Sequence, residues 1–235
     1  MLVLEVGSNP QGDYLHAPFH RFVAAALRPD LDHSYKSEPE AFLNNREIAY
    51  TRGKGLGGCS ILNFGVYLYG SGEDYNRWAE LVGDPSWSWE NVKKSFEAIE
   101  TYDFAGTEKY RHLADASTTV HGTKGQLKVG LPPVLERGVG LQIEALRDAG
   151  ETVNLDPNSG DPVGISVFPF SYGKQGRTTS AIAHLMEPPA NLDVWTGAKA
   201  EKLVFEGERV VGVVMADGRG GKLLSGRCAV VANGL

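Results

Sequence analysis

The stretch RGKGLGGCSILN, residues 52 to 63, places Gly53, Gly55, Gly57 and Gly58 close together and follows them with the small polar pair Cys59 and Ser60. Glycine has no Cβ, so a ligand can come close to the backbone and the N–H groups can turn towards it. A row of such amides suits the oxygens of a phosphate. The same composition also suits a tight surface turn. Arg52, Lys54 and Asn63 flank the run with donors, so its own message is anion binding and no more.

Working upstream, Leu2 to Glu5 reads as a short buried strand that stops at Gly7. An acid closing such a strand is where a dinucleotide-binding fold takes the ribose hydroxyls. In that fold the acid follows a G-x-G-x-x-G fingerprint by about 20 residues. Here four residues precede Glu5, so the fingerprint is expected to lie outside this sequence. Read alone, Glu5 is a solvated strand-end carboxylate.

Downstream, Ser71 to Asp74 forms a capping-box pattern. It opens a helix with Tyr75, Trp78, Ala79 and Val82 on one face, stopped by Gly83. Ser88 is placed to cap a second helix carrying Val92, Phe96 and Ile99. A third is expected from about Val134 to Ala149, opened by Pro132-Pro133 and closed by Gly150. Residues 11 to 50 read as loop with short helical pieces. Ile165 to Phe170 reads as a strand, and Thr179 to Met186 as a helix ended by Pro188-Pro189. Strands follow at Asp193–Thr196, Lys202–Phe205, Val210–Met215 and Cys228–Ala232, with a hairpin around Glu206-Gly207-Glu208. Strands mixed with helices give an α/β (α+β mixed) fold.

The 235 residues carry a net charge of −6, with 22% charged and 42% apolar residues, ordinary values for a globular chain. The mild acidity gives no reason to expect nucleic acid as a partner. No apolar run reaches the roughly 20 residues of a membrane span, so no membrane is expected either. Cys59 and Cys228, the two cysteines, exclude a disulfide scaffold and point to a reducing, cytoplasmic setting. His16 and His20 have a metal-friendly spacing, but Pro18 intervenes and no third ligand is near, so no metal is expected. None of the six histidines has a Ser or Cys partner at a convincing spacing, which leaves a hydrolase unsupported. The aromatics Trp78, Trp87, Trp89 and Phe96 are read as core packing in preference to base stacking. Cys59 is read as a small packed residue in preference to a reactive thiol.

Together these segments resemble the glucose–methanol–choline (GMC) family of flavin oxidoreductases. LVLEVG resembles the family's second Rossmann strand, with its ribose acid at Glu5. RGKGLGGCSILN, then Tyr67–Gly70 and EDYNRWA, resembles the first family signature. GRTTSAIAHL at 176–185, NLDVWTGAKAEKLVFEGERVVGV from Asn191 and AVVANG at 229–234 resemble later family segments. HGTKGQLKV, from His121, resembles the loop into the substrate domain. The resemblance implies that FAD lies along Arg52, Gly57, Gly58, Cys59, Ser60 and Asn63, with Glu5 on the ribose and Ala200 on the adenine. Some members attach FAD through a His just before the signature Asn. Here that position is Leu62, which implies non-covalent FAD.

By the same resemblance, residues 1–120 and 175–235 form a discontinuous, partial Rossmann-like FAD domain. Residues 121–174 form the start of a substrate domain built on an antiparallel sheet. The activity implied is hydride transfer from an alcohol to the flavin, with a separate electron acceptor. The sequence resembles a central piece of the family: its G-x-G-x-x-G unit and catalytic His region are not matched, and no catalytic residue is named. The competing expectations are an inactive truncated relative, an interaction module that self-associates, and one half of a split flavoprotein completed by another chain.

Overall fold

The structure, a computed structural model, describes residues 1–12, 24–104, 111–131, 135–136, 138–173, 176–216 and 222–225. In chain order the strands are β1 (Leu2–Leu4), β2 (Tyr35–Lys36), β3 (Ala49–Tyr50), β4 (Glu100–Asp103), β5 (Leu127–Gly130), β6 (Tyr172–Gly173), β7 (Gly176–Arg177), β8 (Asp193–Trp195), β9 (Lys199–Glu206), β10 (Arg209–Ala216) and β11 (Lys222–Ser225). The α-helices are α1 (Ala24–Leu27), α2 (Gly72–Val82), α3 (Trp89–Ile99), α4 (Val139–Asp148) and α5 (Ser180–Leu185). Mixed helices and strands are as expected. No helix among the described residues is long and apolar enough to cross a membrane.

The chain divides into two compact units. The first joins Met1–Phe64 to Thr179–Leu235. Its β1 pairs in parallel with β8, Leu2 opposite Asp193 and Leu4 opposite Trp195. Strands β9 and β10 form the expected hairpin, with Glu206 opposite Arg209 and Gly207 at φ 61° in the turn. Strand β11, which the sequence reading did not foresee, adds to β10. Val213 and Met215 alternate inward from β10 onto Leu4 and Ala198, with Leu2 and Ala200 packed at the margin. A second cluster holds Ala24, Leu31, Ile61 and Leu62. The strand read at Cys228–Ala232 and the segment 229–234 lie outside the described residues.

The second unit is Gly65–Thr178. Residues 65–120 thus cluster with 121–178, because α2, α3 and β4 close around aromatic and charged groups of that stretch. Ser71 caps α2 by accepting from the Glu73 amide at 3.2 Å, and Gly83 ends it at φ 67°. Ser88 precedes α3 but makes no capping bond. Asn76 takes that role by accepting from the Trp89 amide at 3.0 Å, while the Ser88 hydroxyl accepts from Asn91. Helix α4 starts at Val139, later than expected, after Gly138 at φ 101°. The Pro132-Pro133 opening lies outside the described residues. Strand β4 pairs in parallel with β5, and β6 with β7 antiparallel.

Two expectations need correction. Ile165–Phe170 is not a strand but a set of isolated bridges, Ile165 to Val153 and Phe170 to Gly130 and Val66. Pro169 has no N–H to extend a ladder. Trp78 and Trp87 are not core: they are 50% and 46% exposed and shield one another edge to face at 6.0 Å. Trp89 and Phe96 are half-buried and do pack inward, Phe96 stacking on Tyr69 at 4.3 Å.

Candidate functional site

Within the first unit, the glycine run closes against the end of β1. Leu56 donates its amide to the Ser8 carbonyl at 2.8 Å, and Ser8 bridges Gly55. The approach is so close that a Cβ on Gly7 would lie 2.4 Å from the Lys54 carbonyl, and one on Gly53 would lie 2.1 Å from the Gly58 oxygen. Gly7 and Gly53 are therefore demanded by contact of backbone with backbone. Gly57 and Gly58 are demanded by conformation, at φ 106° and 53°. From Gly58 to Ile61 the chain makes a single 3-10 turn.

That turn uses its own amides. Gly58 donates to Gly55, Ser60 to Gly57, and Leu62 and Asn63 to Cys59. The Gly57 carbonyl also accepts from the Ser60 hydroxyl, at 2.5 Å, and from the Ser180 hydroxyl at 3.1 Å. The Ser180 amide in turn donates to Ser60 Oγ at 3.0 Å. Thr179 caps α5 by accepting from the Ile182 amide at 3.1 Å. The turn is thus pinned to the start of α5. Sequence reasoning singled out neither Thr179 nor Ser180 as site residues, although both lie in the GRTTSAIAHL segment.

Glu5 is 1% exposed, so it is not the solvated carboxylate of the plainest reading. Its Oε1 accepts from the Gly7 amide at 2.7 Å. Burial pushes the carboxyl up from its ordinary 4.5; the amides of Gly7, Gly55 and Val6 and the nearby His33 oppose this without cancelling it. Around it the backbone is sewn to β8: Glu5 donates to Trp195 at 2.9 Å, and Ala198 donates to Glu5 at 2.8 Å.

The other sequence-derived residues are placed as follows. Ala200 lies on β9 opposite Met215, at the margin of the cluster that holds Leu4. Cys59 is a half-buried free thiol. The Arg52 guanidinium lies 4.8 Å over the Tyr50 ring, with Nη1 donating to Thr51. Asn63 is exposed at the end of the turn. Leu62 is 6% exposed within its apolar cluster. Thus Glu5, Arg52, Gly57, Gly58, Cys59, Ser60, Asn63 and Ala200 share one unit. His16 and His20 lie outside the described residues, among which no group of three ligating side chains could hold a metal.

A second group of polar residues went unnoticed in the sequence. In the second unit, His121 is clamped between Glu100 and Asp156, all with side chains 3% exposed or less. Single residues 21 and 35 positions from His121 carry no spacing signal.

The family profile described as GMC oxidoreductase matches residues 11–235. An oxygen-dependent choline dehydrogenase of Paraburkholderia phymatum is 34% identical over 189 residues, 79% of this chain and 31% of that protein. A pyridoxine 4-oxidase of Microbacterium luteolum is 29% identical over 227 residues, 94% of this chain and 42% of that protein. The crystal structure of a pyridoxine 4-oxidase from Mesorbium loti superposes with a TM-score of 0.80 at 26% identity, covering 95% of this chain and 42% of that one. An FAD-dependent oxidoreductase from Chaetomium thermophilum, 24% identical, shares the fold with a TM-score of 0.83 over 96% of this chain and 39% of that one. The chain therefore spans between about a third and two fifths of the length of the relatives it matches.

Proposed function

The chain belongs to the GMC oxidoreductase family, and from that premise we propose that it forms the FAD-holding part of an enzyme that oxidises an alcohol. The observation that carries this reading is the glycine turn pinned between the end of β1 and the start of α5, made of the residues that resemble the first family signature. The fit to the cofactor rests on chemistry and space. Gly57 has a conformation and an edge that a side chain would fill, its Cβ meeting Ile61 Cγ2 at 3.0 Å. Glycine, cysteine and serine along this edge leave room for a flat ligand, and Glu5 supplies an acid suited to hydroxyl donors.

In this reading the outer side of Gly57–Asn63 receives the pyrophosphate and flavin, and Ala200 lies towards the adenine. Glu5 is hydrogen-bonded to Gly7 and covered, so it meets a ribose only when the contact between Gly7 and the run loosens. FAD, when bound, supplies the two-electron acceptor for the hydride of an alcohol. Attachment is non-covalent: Leu62, before Asn63, offers no nucleophile and is committed to an apolar cluster.

One observation favours a second reading. Among the described residues β1 and β8 form a sheet of two parallel strands. Parallel sheets are normally buried within larger ones, and open edges invite another strand. On this reading FAD retention requires a second chain or self-association.

The test is to purify the chain, add FAD, desalt, and record flavin absorbance and oligomeric state. Flavin retained by a monomer and released by acid supports the first reading, and an alcohol screen with an artificial acceptor follows. Flavin retained only by an oligomer supports the second. A folded chain that retains none refutes the first reading and the self-associating form of the second, and leaves the form that needs another chain.

A further inference from the structure

Outside the glycine turn, the second unit buries a cluster whose hydrogen-bond arithmetic has a chemical consequence. His121 Nδ1 stands 2.9 Å from Glu100 Oε1, and Nε2 stands 3.0 Å from Asp156 Oδ2. A neutral imidazole has one donor and one acceptor, whereas an ionised carboxylate only accepts. Both contacts are satisfied together only if the ring carries two protons or one carboxyl group keeps its own.

The remaining partners decide between these. Glu100 Oε1 already accepts from the Gly122 amide at 2.8 Å. Asp156 accepts from the Thr119 hydroxyl at Oδ2 and from the Asn158 amide at Oδ1, the latter at 2.9 Å. Donors thus meet both oxygens of Asp156 and Oε1 of Glu100, the pattern of ionised acceptors, while Glu100 Oε2 is buried without a hydrogen-bond partner among the described residues. The other groups facing the ring are the Tyr69 hydroxyl, 3.4 Å from Nδ1, and the rings of Tyr102 and Phe104. The Tyr67 hydroxyl, buried and near the Glu100 charge, is held protonated by burial and by that charge. No lysine or arginine is paired with either carboxylate among the described residues, so an imidazolium is the one cation the pair has.

The cluster also ties segments together. It joins the start of β4 to His121-Gly122 and to the loop at Asp156. Asn158 extends the tie by accepting from the Tyr69 amide at 2.8 Å and donating to the Tyr67 carbonyl at 3.3 Å. We propose that His121 is a clasp between Glu100 and Asp156 that is charged at neutral pH, and that removing its proton opens the Tyr67–Tyr69, His121–Gly122 and Asp156–Asn158 segments as one unit. Loss of the proton would leave two buried carboxylates facing each other across a neutral ring, a costly arrangement that opening relieves.

The experiment uses the full chain labelled with 15N-histidine, with the His121 ring signals assigned by their disappearance in His121→Gln. Ring spectra and amide protection factors are followed from about pH 6 to about pH 10.5. The expected result is two protonated ring nitrogens at neutral pH. As the ring titrates, protection at Tyr69, Gly122 and Asn158 should fall at least tenfold, while Glu5 and Ala198 in the first unit keep theirs. A neutral ring at pH 7 overturns the assignment. Titration without loss of protection, or loss spread evenly over both units, overturns the clasp. If His121→Gln folds, its protection at these amides should not vary with pH. If it does not fold, the wild-type titration still decides, with the ring assigned through its contacts to Tyr102.

Discussion

Replacing Gly53 by alanine isolates the role of close packing in the glycine run. Gly53 is buried and has no unusual backbone angle, so the cost of a methyl group there is collision alone. Its Cβ would lie 2.1 Å from the Gly58 oxygen and 2.5 Å from the Gly58 carbon. An ordinary carbon–oxygen contact is about 3.3 Å, so the Gly58 peptide must retreat by about 1 Å. That retreat pulls against the Gly58 to Gly55 hydrogen bond at 2.8 Å. Overpacking of about 2 kcal/mol plus one weakened bond of about 1 kcal/mol gives about 3 kcal/mol. For a chain of this size that lowers the Tm by roughly 6–12 °C. The control is Gly207→Ala, at φ 61° with no atom within 4 Å, where only backbone strain of about 1 kcal/mol applies. Melting followed by circular dichroism compares the two. Gly53→Ala should also retain less FAD, and Gly207→Ala should retain as much as the parent chain. A fall in Tm for Gly53→Ala no larger than that for Gly207→Ala would refute the packing argument.

Glu5→Gln keeps an acceptor for Gly7 but removes a buried charge. The carboxyl is raised above 4.5 on folding, so its ionisation opposes folding: stability from this group is greatest below 4.5 and declines as pH rises through the folded value. The variant should be at least as stable as the parent at pH 7 in urea titration, yet hold FAD less tightly. Thr179→Ala removes the α5 cap and should cost about 1 kcal/mol, read as a lower urea midpoint. For His121, burial pulls the imidazole down, but hydrogen bonds and charge from Asp156 and Glu100 outweigh it and hold it at about 9. Its stabilisation is full below 6.5 and lost as pH rises through about 9. Asp156→Asn should therefore cost about 3 kcal/mol at pH 7, with the gap to the parent narrowing above pH 9.

The elements legible in the sequence are those written in local chemistry. Ser71 and Gly83 bracket α2, Gly207 turns the β9–β10 hairpin, and Gly57 sits where a positive φ is required. Trp78 misled because helical spacing tells which residues share a face and not whether anything covers it. Ile165–Phe170 misled because an apolar run does not reveal that Pro169 interrupts its pairing. In the candidate site, the glycine run was legible as a turn and Glu5 as the acid that follows β1. What was not legible is that Glu5 is covered and that the run is tied to Ser8 and Ser180, since both follow from distant chain segments meeting. The Glu100–His121–Asp156 cluster was invisible for the same reason.

The pairing of β1 with β8 also sets an order of events during synthesis. The Met1 carbonyl accepts from the Asp193 amide at 2.8 Å, and Met1 and Asn191, also in contact, are 190 positions apart. The ribosome must therefore extend nearly the whole described sequence before the first strand finds its neighbour. Gly65–Thr178 is one continuous segment and has no such wait. The contiguous unit can close before β8 is made, whereas the pairing of Leu2–Leu4 with β8 waits until Asp193–Trp195 has emerged.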